Sequence, residues 1–224
     1  MYRIIANTKD MPEEEWLALR RKGIGGSDAG AVCGVDPYAS AMTVYRDKVG
    51  TAGSREENEA MRQGHDLEDY VARWFMEASG LKVRRSHAMY QSVENPFMLA
   101  DVDRLVIGED AGLECKTAGA WGARRWKDGD IPLHYIMQCM HYMAVTGKRA
   151  WYIAAVILGR EFVYRKILWD DDIIGRMVAI ERDFWERHVI PQADAAAGRV
   201  RSLRRGLKAV FRDSRRRKRG AFRF

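Results

Sequence analysis

Between Leu113 and Thr117 the chain reads Leu-Glu-Cys-Lys-Thr, a carboxylate and an ammonium one residue apart in an otherwise apolar segment. Such a segment constrains everything packed around it. As a β-strand it sends Leu113, Cys115 and Thr117 to one face and Glu114 and Lys116 to the other, about 7 Å apart along the strand. Two opposite charges on one face of a core strand form a cross-strand ion-pair element or half of a metal site. In the second case the carboxylate holds a hard divalent cation, and the lysine orients a water or meets developing negative charge. The spacing alone leaves both open, and the rest of the chain has to decide.

A chain of 224 residues holds one sizeable domain with a real core. No apolar run approaches bilayer length, and Met1–Thr8 is too soon polar for a signal peptide, so the expectation is a cytoplasmic protein with no membrane contact. The three cysteines, Cys33, Cys115 and Cys139, are odd in number and lack a Cys-x-x-Cys pair. A disulfide framework and a cysteine-only zinc or iron–sulfur site are therefore disfavoured. Twelve Lys/Arg against one Asp between Arg199 and Phe224 put about +11 into that tail, which leaves about −4 of the net +7 for residues 1–198. Residues 1–198 read as one domain and 199–224 as a basic C-terminal tail, including Arg215, Arg216, Arg217, Lys218 and Arg219.

Residues 12–22 are predicted helical, with Glu13–Glu15 at the N-terminus. Gly23, Gly25 and Gly26 then call for special backbone angles or for close approach of something to the backbone. Ser27 is either the N-cap of a short helix or, with Arg20, part of an anion site for a terminal phosphate. Residues 40–49 and 55–79 are further helices, the second with an apolar stripe through Met61, Leu67, Tyr70, Val71, Trp74, Phe75 and Ala78. Glu68 lies beside that stripe, where a carboxylate needs a partner or a metal.

Residues 81–92 and 97–107 alternate as strands, and Gly108–Gly112 is a hairpin turn into the Glu114 strand. Asp101 and Asp103 then share a face, and antiparallel pairing brings Asp103 near Glu114 and Lys116. Crowded carboxylates repel unless a cation neutralises them. Residues 119–131, with Trp121, Arg124, Arg125, Trp126 and Lys127, read by default as a solvated loop, but interleaved aromatics and arginines are also what a single-stranded or frayed nucleic acid stacks on. Residues 132–146 are a helix carrying Tyr135, Gln138, His141 and Tyr142. Ala150–Leu158 and Glu161–Leu168 are strands, and residues 170–197 a helix interrupted at Pro191.

Taken in order, Trp16…Arg20-x-x-Gly23-Ile24-Gly25-Gly26-Ser27-Asp28, Gly34-x-x-Pro37-Tyr38, Gly64-x-x-x-Glu68, Asp103, Glu114-x-Lys116 and Tyr135-x-x-Gln138 resemble the YqaJ-type viral recombinase family. Its members are relatives of lambda exonuclease within the PD-(D/E)xK nuclease superfamily. The likeness runs from about Trp16 to about Leu168. It implies an α/β (α+β) fold with a restriction-endonuclease-like core, a central mixed β-sheet flanked by helices. It also implies a metal-dependent 5′→3′ exonuclease acting on double-stranded DNA ends and leaving 3′ overhangs for phage-type recombination. Mg²⁺, with Mn²⁺ substituting, a ring-shaped homo-oligomer such as a trimer, and a single-strand annealing protein as partner follow from the same likeness, as does a phage or prophage gene in a bacterial host.

Carried over by position, Asp103 and Glu114 become metal ligands with the main-chain carbonyl of Cys115. Glu68 becomes a further carboxylate, direct or through water. Lys116 and Gln138 position the attacking water, and Arg20 and Ser27 hold the 5′-phosphate. Arg124, Arg125 and the basic tail are expected to bind DNA backbone. Arg104 departs from the family, standing where relatives usually have glycine, and Asp101 is an extra carboxylate with no assigned role. Two alternatives stay open: an endonuclease or structure-specific nuclease of the same fold, and a DNA-binding module with a vestigial site.

Overall fold

The computed structural model describes residues 1–52, 59–126 and 130–191. The chain begins with β1 (Tyr2–Asn7), α1 (Glu13–Arg20), α2 (Gly26–Val32), α3 (Ala41–Lys48) and α4 (Glu59–Ser79). Five strands follow: β2 (Lys82–Arg85), β3 (Ala88–Ser92), β4 (Leu99–Asp101), β5 (Arg104–Ile107) and β6 (Ala111–Ala118). Then come α5 (Ala120–Ala123), α6 (Leu133–Thr146), β7 (Ala150–Ile157), β8 (Glu161–Leu168) and α7 (Asp171–Phe184), which runs on as a π-helical turn, Trp185–Val189. The basic tail, with Arg215–Arg219, and Lys127 lie outside the described residues, as does the side chain of Trp121.

Strand β7 organises the main sheet because every one of its residues is buried, the mark of a strand covered on both faces. Trp151, Ile153, Ala155 and Ile157 enter one apolar cluster with α6; Tyr152, Ala154 and Val156 enter another with Val71 and Phe75 of α4. The sheet order is β2-β5-β6-β7-β8, antiparallel except for the parallel pair β6–β7. A parallel pair needs a crossover, and α5 and α6 supply it. The architecture is thus a central mixed sheet with α4 on one face and α6 on the other.

Two expectations need correction. Residues 81–92 and 97–107 are not single strands. Each breaks and changes sheet, β2 and β5 pairing in the main sheet, β3 and β4 in a smaller one of order β1-β3-β4. The break falls at Ser86–His87 on one limb, where His87 has φ 50°, and at Val102–Asp103 on the other. Alternation of apolar and polar residues continues through such a corner, so the pattern cannot reveal it. Asp101 and Asp103 therefore do not share a strand face: Asp101 ends β4, and Asp103 sits in the corner before β5.

Strand β1 was not anticipated, because as an edge strand it leaves Tyr2 and Ile4 exposed and carries no buried signature. The α4 stripe is narrower than predicted, with Val71 and Phe75 buried but Tyr70 and Trp74 largely exposed. The side chain of Met61 is outside the described residues. The segment at 119–131 contains one helical turn, α5, and Trp126 is buried against the core.

Candidate active site

The β5–β6 register pairs Arg104 with Leu113, so one residue further on Asp103 comes level with Glu114. Asp103 Oδ2 accepts the Cys115 backbone N–H at 2.7 Å. On the α6 side of β6, Glu114 Oε1 accepts from Gln138 Nε2 at 2.7 Å and lies 2.5 Å from Lys116 Nζ. Gln138 Nε2 also donates to the Tyr142 hydroxyl at 2.9 Å, and Lys116 Nζ stands 4.7 Å over the Tyr135 ring. Asp103, Glu114, Lys116 and Gln138 thus come together, from a sheet corner, a strand and one helix.

The second carboxylate oxygen, Glu114 Oε2, is buried and has no hydrogen-bond partner among the described residues. A buried anionic oxygen left unpaired is costly and marks a place where something else binds. Burial, and after it the neighbouring Glu114 and Glu68 carboxylates, pushes the Asp103 carboxyl well above its ordinary range. Burial likewise raises Glu114, although Lys116 opposes the shift. Lys116 itself is destabilised as a cation by burial, but Glu114 outweighs this and keeps its pKa above the ordinary lysine value. Two carboxylates that resist ionising together, with one bare oxygen between them and all donors hard, fit a divalent cation. Asp103, Glu114 and the Cys115 main-chain carbonyl are the groups that would hold one.

Glu68 is brought to the same region but is differently occupied. Its Oε1 accepts from Arg104 Nη1, and Arg104 Nη2 donates to Asp69. Among the described residues, no three His, Cys, Asp or Glu side chains gather closely enough to hold a metal by themselves. Asp101 turns out to accept from the Trp16 indole at 2.6 Å, which ties α1 to β4.

The glycine segment supports a second cluster. Gly23, Gly25 and Gly26 have no left-handed φ, and close approach is the reason for Gly23 and Gly26. A Cβ on Gly26 would stand 2.4 Å from the Tyr142 ring, and one on Gly23 would stand 2.6 Å from the Phe97 carbonyl oxygen. This packing lays α2 on α6 and leaves Ser27 exposed. Gly25, not Ser27, is the N-cap, and Asp28 Oδ2 accepts the Gly25 N–H at 2.9 Å. Of the two readings open for Ser27, the cap is therefore excluded. The Ser27 hydroxyl instead accepts from Arg20 Nη2 at 2.6 Å, and Arg20 stacks over Trp16 at 4.7 Å. Burial raises Asp28, but Lys48 at 2.7 Å and Arg20 outweigh it and hold the carboxyl below its ordinary value.

From Lys116 a row of rings leads outward. Tyr135 meets His134 at 4.0 Å between centroids and Trp126 at 5.8 Å. His134 meets Tyr38 edge-on at 6.0 Å, and Arg125 lies 4.8 Å over Tyr38, which is 72% exposed. Burial lowers the His134 pKa to about 4, so the ring is neutral at pH 7. Arg124 and Arg125 are exposed on α5's C-terminal side. Sequence reasoning missed Tyr142 as the support of Gln138, although the i, i+4 spacing on α6 could have found it. It also missed Tyr38 and Tyr135 as a continuous row, since they are far apart in the chain.

Residues 15–149 match the YqaJ-like viral recombinase domain. The chain belongs to this family. The uncharacterized protein YqaJ of Bacillus subtilis (strain 168) is 41% identical over 199 residues, covering 87% of this chain. The chain spans 62% of that relative's length. Among solved structures, the alkaline exonuclease of Laribacter hongkongensis superposes with a TM-score of 0.67 at 21% identity, covering 80% of this chain and 94% of the other. The same exonuclease in complex with dAMP gives 0.68 at 20% identity over the same shares. A phage-related exonuclease from Haemophilus somnus 129PT gives 0.58 at 13% identity, covering 80% of this chain and all of the other. At those identities the likeness establishes the fold of this YqaJ-family chain and no more. Among the described residues no helix is long and apolar enough to cross a membrane.

Proposed function

We propose that the protein is a metal-dependent deoxyribonuclease that digests double-stranded DNA from its 5′ ends and leaves 3′ single-stranded overhangs. The observation that carries this is the bare, buried Glu114 Oε2 beside Asp103, with Lys116 held against the same carboxylate. Membership of the YqaJ family and the fold shared with exonucleases support the same reading.

A divalent ion, Mg²⁺ or Mn²⁺, supplies charge neutralisation at the scissile phosphate and a lowered pKa for water. Asp103 and Glu114 would hold it together with the Cys115 main-chain carbonyl. Gln138 and Tyr142 fix the Glu114 carboxylate, so its orientation is set before substrate arrives. Lys116, kept charged, offers its ammonium to the phosphate as negative charge builds up on it. Arg20 and Ser27 receive the terminal 5′-phosphate, the guanidinium in charge-assisted hydrogen bonds and the hydroxyl as a further donor. Fixing the end sets how far in the cut falls. Arg124, Arg125 and Tyr38 flank the path of the strand. A ring-shaped homo-oligomer and a phage-type annealing protein belong to the same proposal.

Linear duplex labelled separately at its 5′ and 3′ ends, incubated with Mg²⁺, tests it. Release of the 5′ label first, with closed circular duplex untouched and 5′-phosphate ends preferred over 5′-hydroxyl ends, is the expected result. Cutting of the closed circle, or earlier loss of the 3′ label, overturns the exonuclease reading.

A further inference from the structure

We propose that Arg104 occupies the place of a second divalent ion, so that this site takes one cation per chain and Glu68 is bound by the protein's own guanidinium rather than by metal. The inference rests on the metal-dependent reading above and deepens it.

Arg104 is only 4% exposed, and its position opposite Leu113 sends its side chain to the α4 face of the sheet, away from Lys116. Its guanidinium is fixed by three acceptors from two elements. Nη1 donates to Glu68 Oε1 and, at 2.7 Å, to the Asp103 main-chain carbonyl; Nη2 donates to Asp69 Oδ1. Asp69 is held in turn by Arg85, so the network continues through β2. A guanidinium stays protonated throughout the working pH range, and its rigid fork suits two carboxylates at once. Glu68 is therefore engaged by a permanent cation that a metal would have to displace.

Charge arithmetic decides between one ion and two. In the fully ionised form that a bound cation would favour, Glu68, Asp103 and Glu114 would bring −3; Arg104 and Lys116 bring +2; Asp69 and Arg85 cancel. The site thus stands at −1. One divalent ion takes it to +1, which a single phosphodiester of −1 neutralises. Two ions would take it to +3, leaving an excess of +2 with the phosphate bound, in a half-buried place where unneutralised charge is costly. Without Arg104 the same set would stand at −2, and two ions would reach +2. The one basic residue changes the stoichiometry the site can accept.

Metal-free full-length protein titrated with Mn²⁺, with free Mn²⁺ read by electron paramagnetic resonance, gives the answer directly. One Mn²⁺ per chain is expected. E68Q should leave its affinity within about twofold, whereas E114Q should weaken it by about tenfold or more. R104Q, folded as judged by circular dichroism, should bind a second Mn²⁺. Should R104Q not fold, the contrast between E68Q and E114Q still decides. Two ions on the wild-type chain, or an E68Q loss as large as that of E114Q, overturns this inference and leaves the nuclease reading standing. Absence of Mn²⁺ binding by the wild-type chain, or binding indifferent to E114Q, overturns the metal-dependent reading itself.

Discussion

Helix α6 carries two buried clusters of charge, built to opposite specifications. At one, His141 Nδ1 meets Glu181 at 2.9 and 3.0 Å, and Nε2 donates to the Leu99 carbonyl at 2.9 Å, with both residues fully buried. Both ring nitrogens are used and the charge is matched. At the other, three residues away on the helix, Gln138 reaches a Glu114 whose second oxygen has nothing. The two carboxylates Glu181 and Glu114 are equally buried, but only the first is complete within the protein. Complete pairing joins elements, here α6, α7 and β4. Incomplete pairing stores a binding capacity, at a cost in stability borne by the chain itself.

The sharpest way to break this contrast is to remove one carboxylate from each cluster. Glu114→Gln should lower the Mg²⁺-dependent digestion rate by about 10³-fold or more while DNA still binds, since both ion and Lys116 lose their partner. Glu181→Gln should leave the rate per folded molecule within about twofold, since its carboxylate pairs with His141, away from Glu114. Equal losses in the two variants would erase the distinction between a working and a structural carboxylate.

Stability should show the reverse. Breaking a fully buried pair by removing one partner costs about 3 kcal/mol, so Glu181→Gln should shift the denaturation midpoint strongly downward. The pH dependence carries a sign. Burial alone would lower the His141 pKa, but Glu181 outweighs it and raises it above the ordinary histidine value. The stability from this pair is therefore full below the unfolded-state pKa of about 6.5 and is lost as pH rises through the folded value. Urea midpoints measured from pH 6 upward should fall in the wild type and stay flatter in Glu181→Gln. A wild-type midpoint that climbs over that range would show that the pair is not the charged bridge its geometry describes.

At the other cluster, Asp103→Asn should stabilise the metal-free protein. The Asp103 pKa is raised by burial and then by Glu114 and Glu68, so its contribution is full below the ordinary carboxylate value and is lost as pH rises through the folded one. At pH 7 the asparagine removes that burden and still accepts the Cys115 N–H. Asp103 is only half-buried, so solvent screening limits the gain to about 1 kcal/mol. Chemical denaturation without divalent ions measures it, and a loss of stability would mean that the acidic pair is neutralised by some other group.

The same contrast explains what the sequence could and could not reveal. Glu114 and Lys116 were legible because strand alternation fixes their face whatever lies around them. The antiparallel approach of Asp103 followed from the short Gly108–Gly112 turn, with Gly108 at φ 86°. The corner at Val102–Asp103 was not legible, since alternation passes through a change of sheet unaltered, and Asp101 and Asp103 were therefore given one strand face. Nor was the engagement of Glu68 by Arg104 visible, because it depends on how α4 lies on the sheet, over β6 and β7. Tertiary packing of a helix on a sheet leaves no local periodicity to read. The Glu181 partner of His141 was hidden for the same reason: 40 residues separate them.

The smallest expected effect lies at the outer end of the ring row, where the interactions are exposed and no charge is buried. Arg125 is a cation stacked on Tyr38 and under the proposed function would also contact a phosphate, and an exposed cation–π contact is worth about 0.5–1 kcal/mol. Arg125→Ala should therefore weaken duplex binding by only about three- to tenfold, with a shallower salt dependence by about one phosphate contact. Tyr38→Phe keeps the ring and should retain near-wild-type affinity, while Tyr38→Ala should match the arginine loss. Fluorescence anisotropy with a 5′-phosphorylated duplex at several salt concentrations reads all three. If Tyr38→Phe were as weak as Tyr38→Ala, the hydroxyl rather than the ring face would be the contact, and the row would be a hydrogen-bonding surface instead of a stacking one.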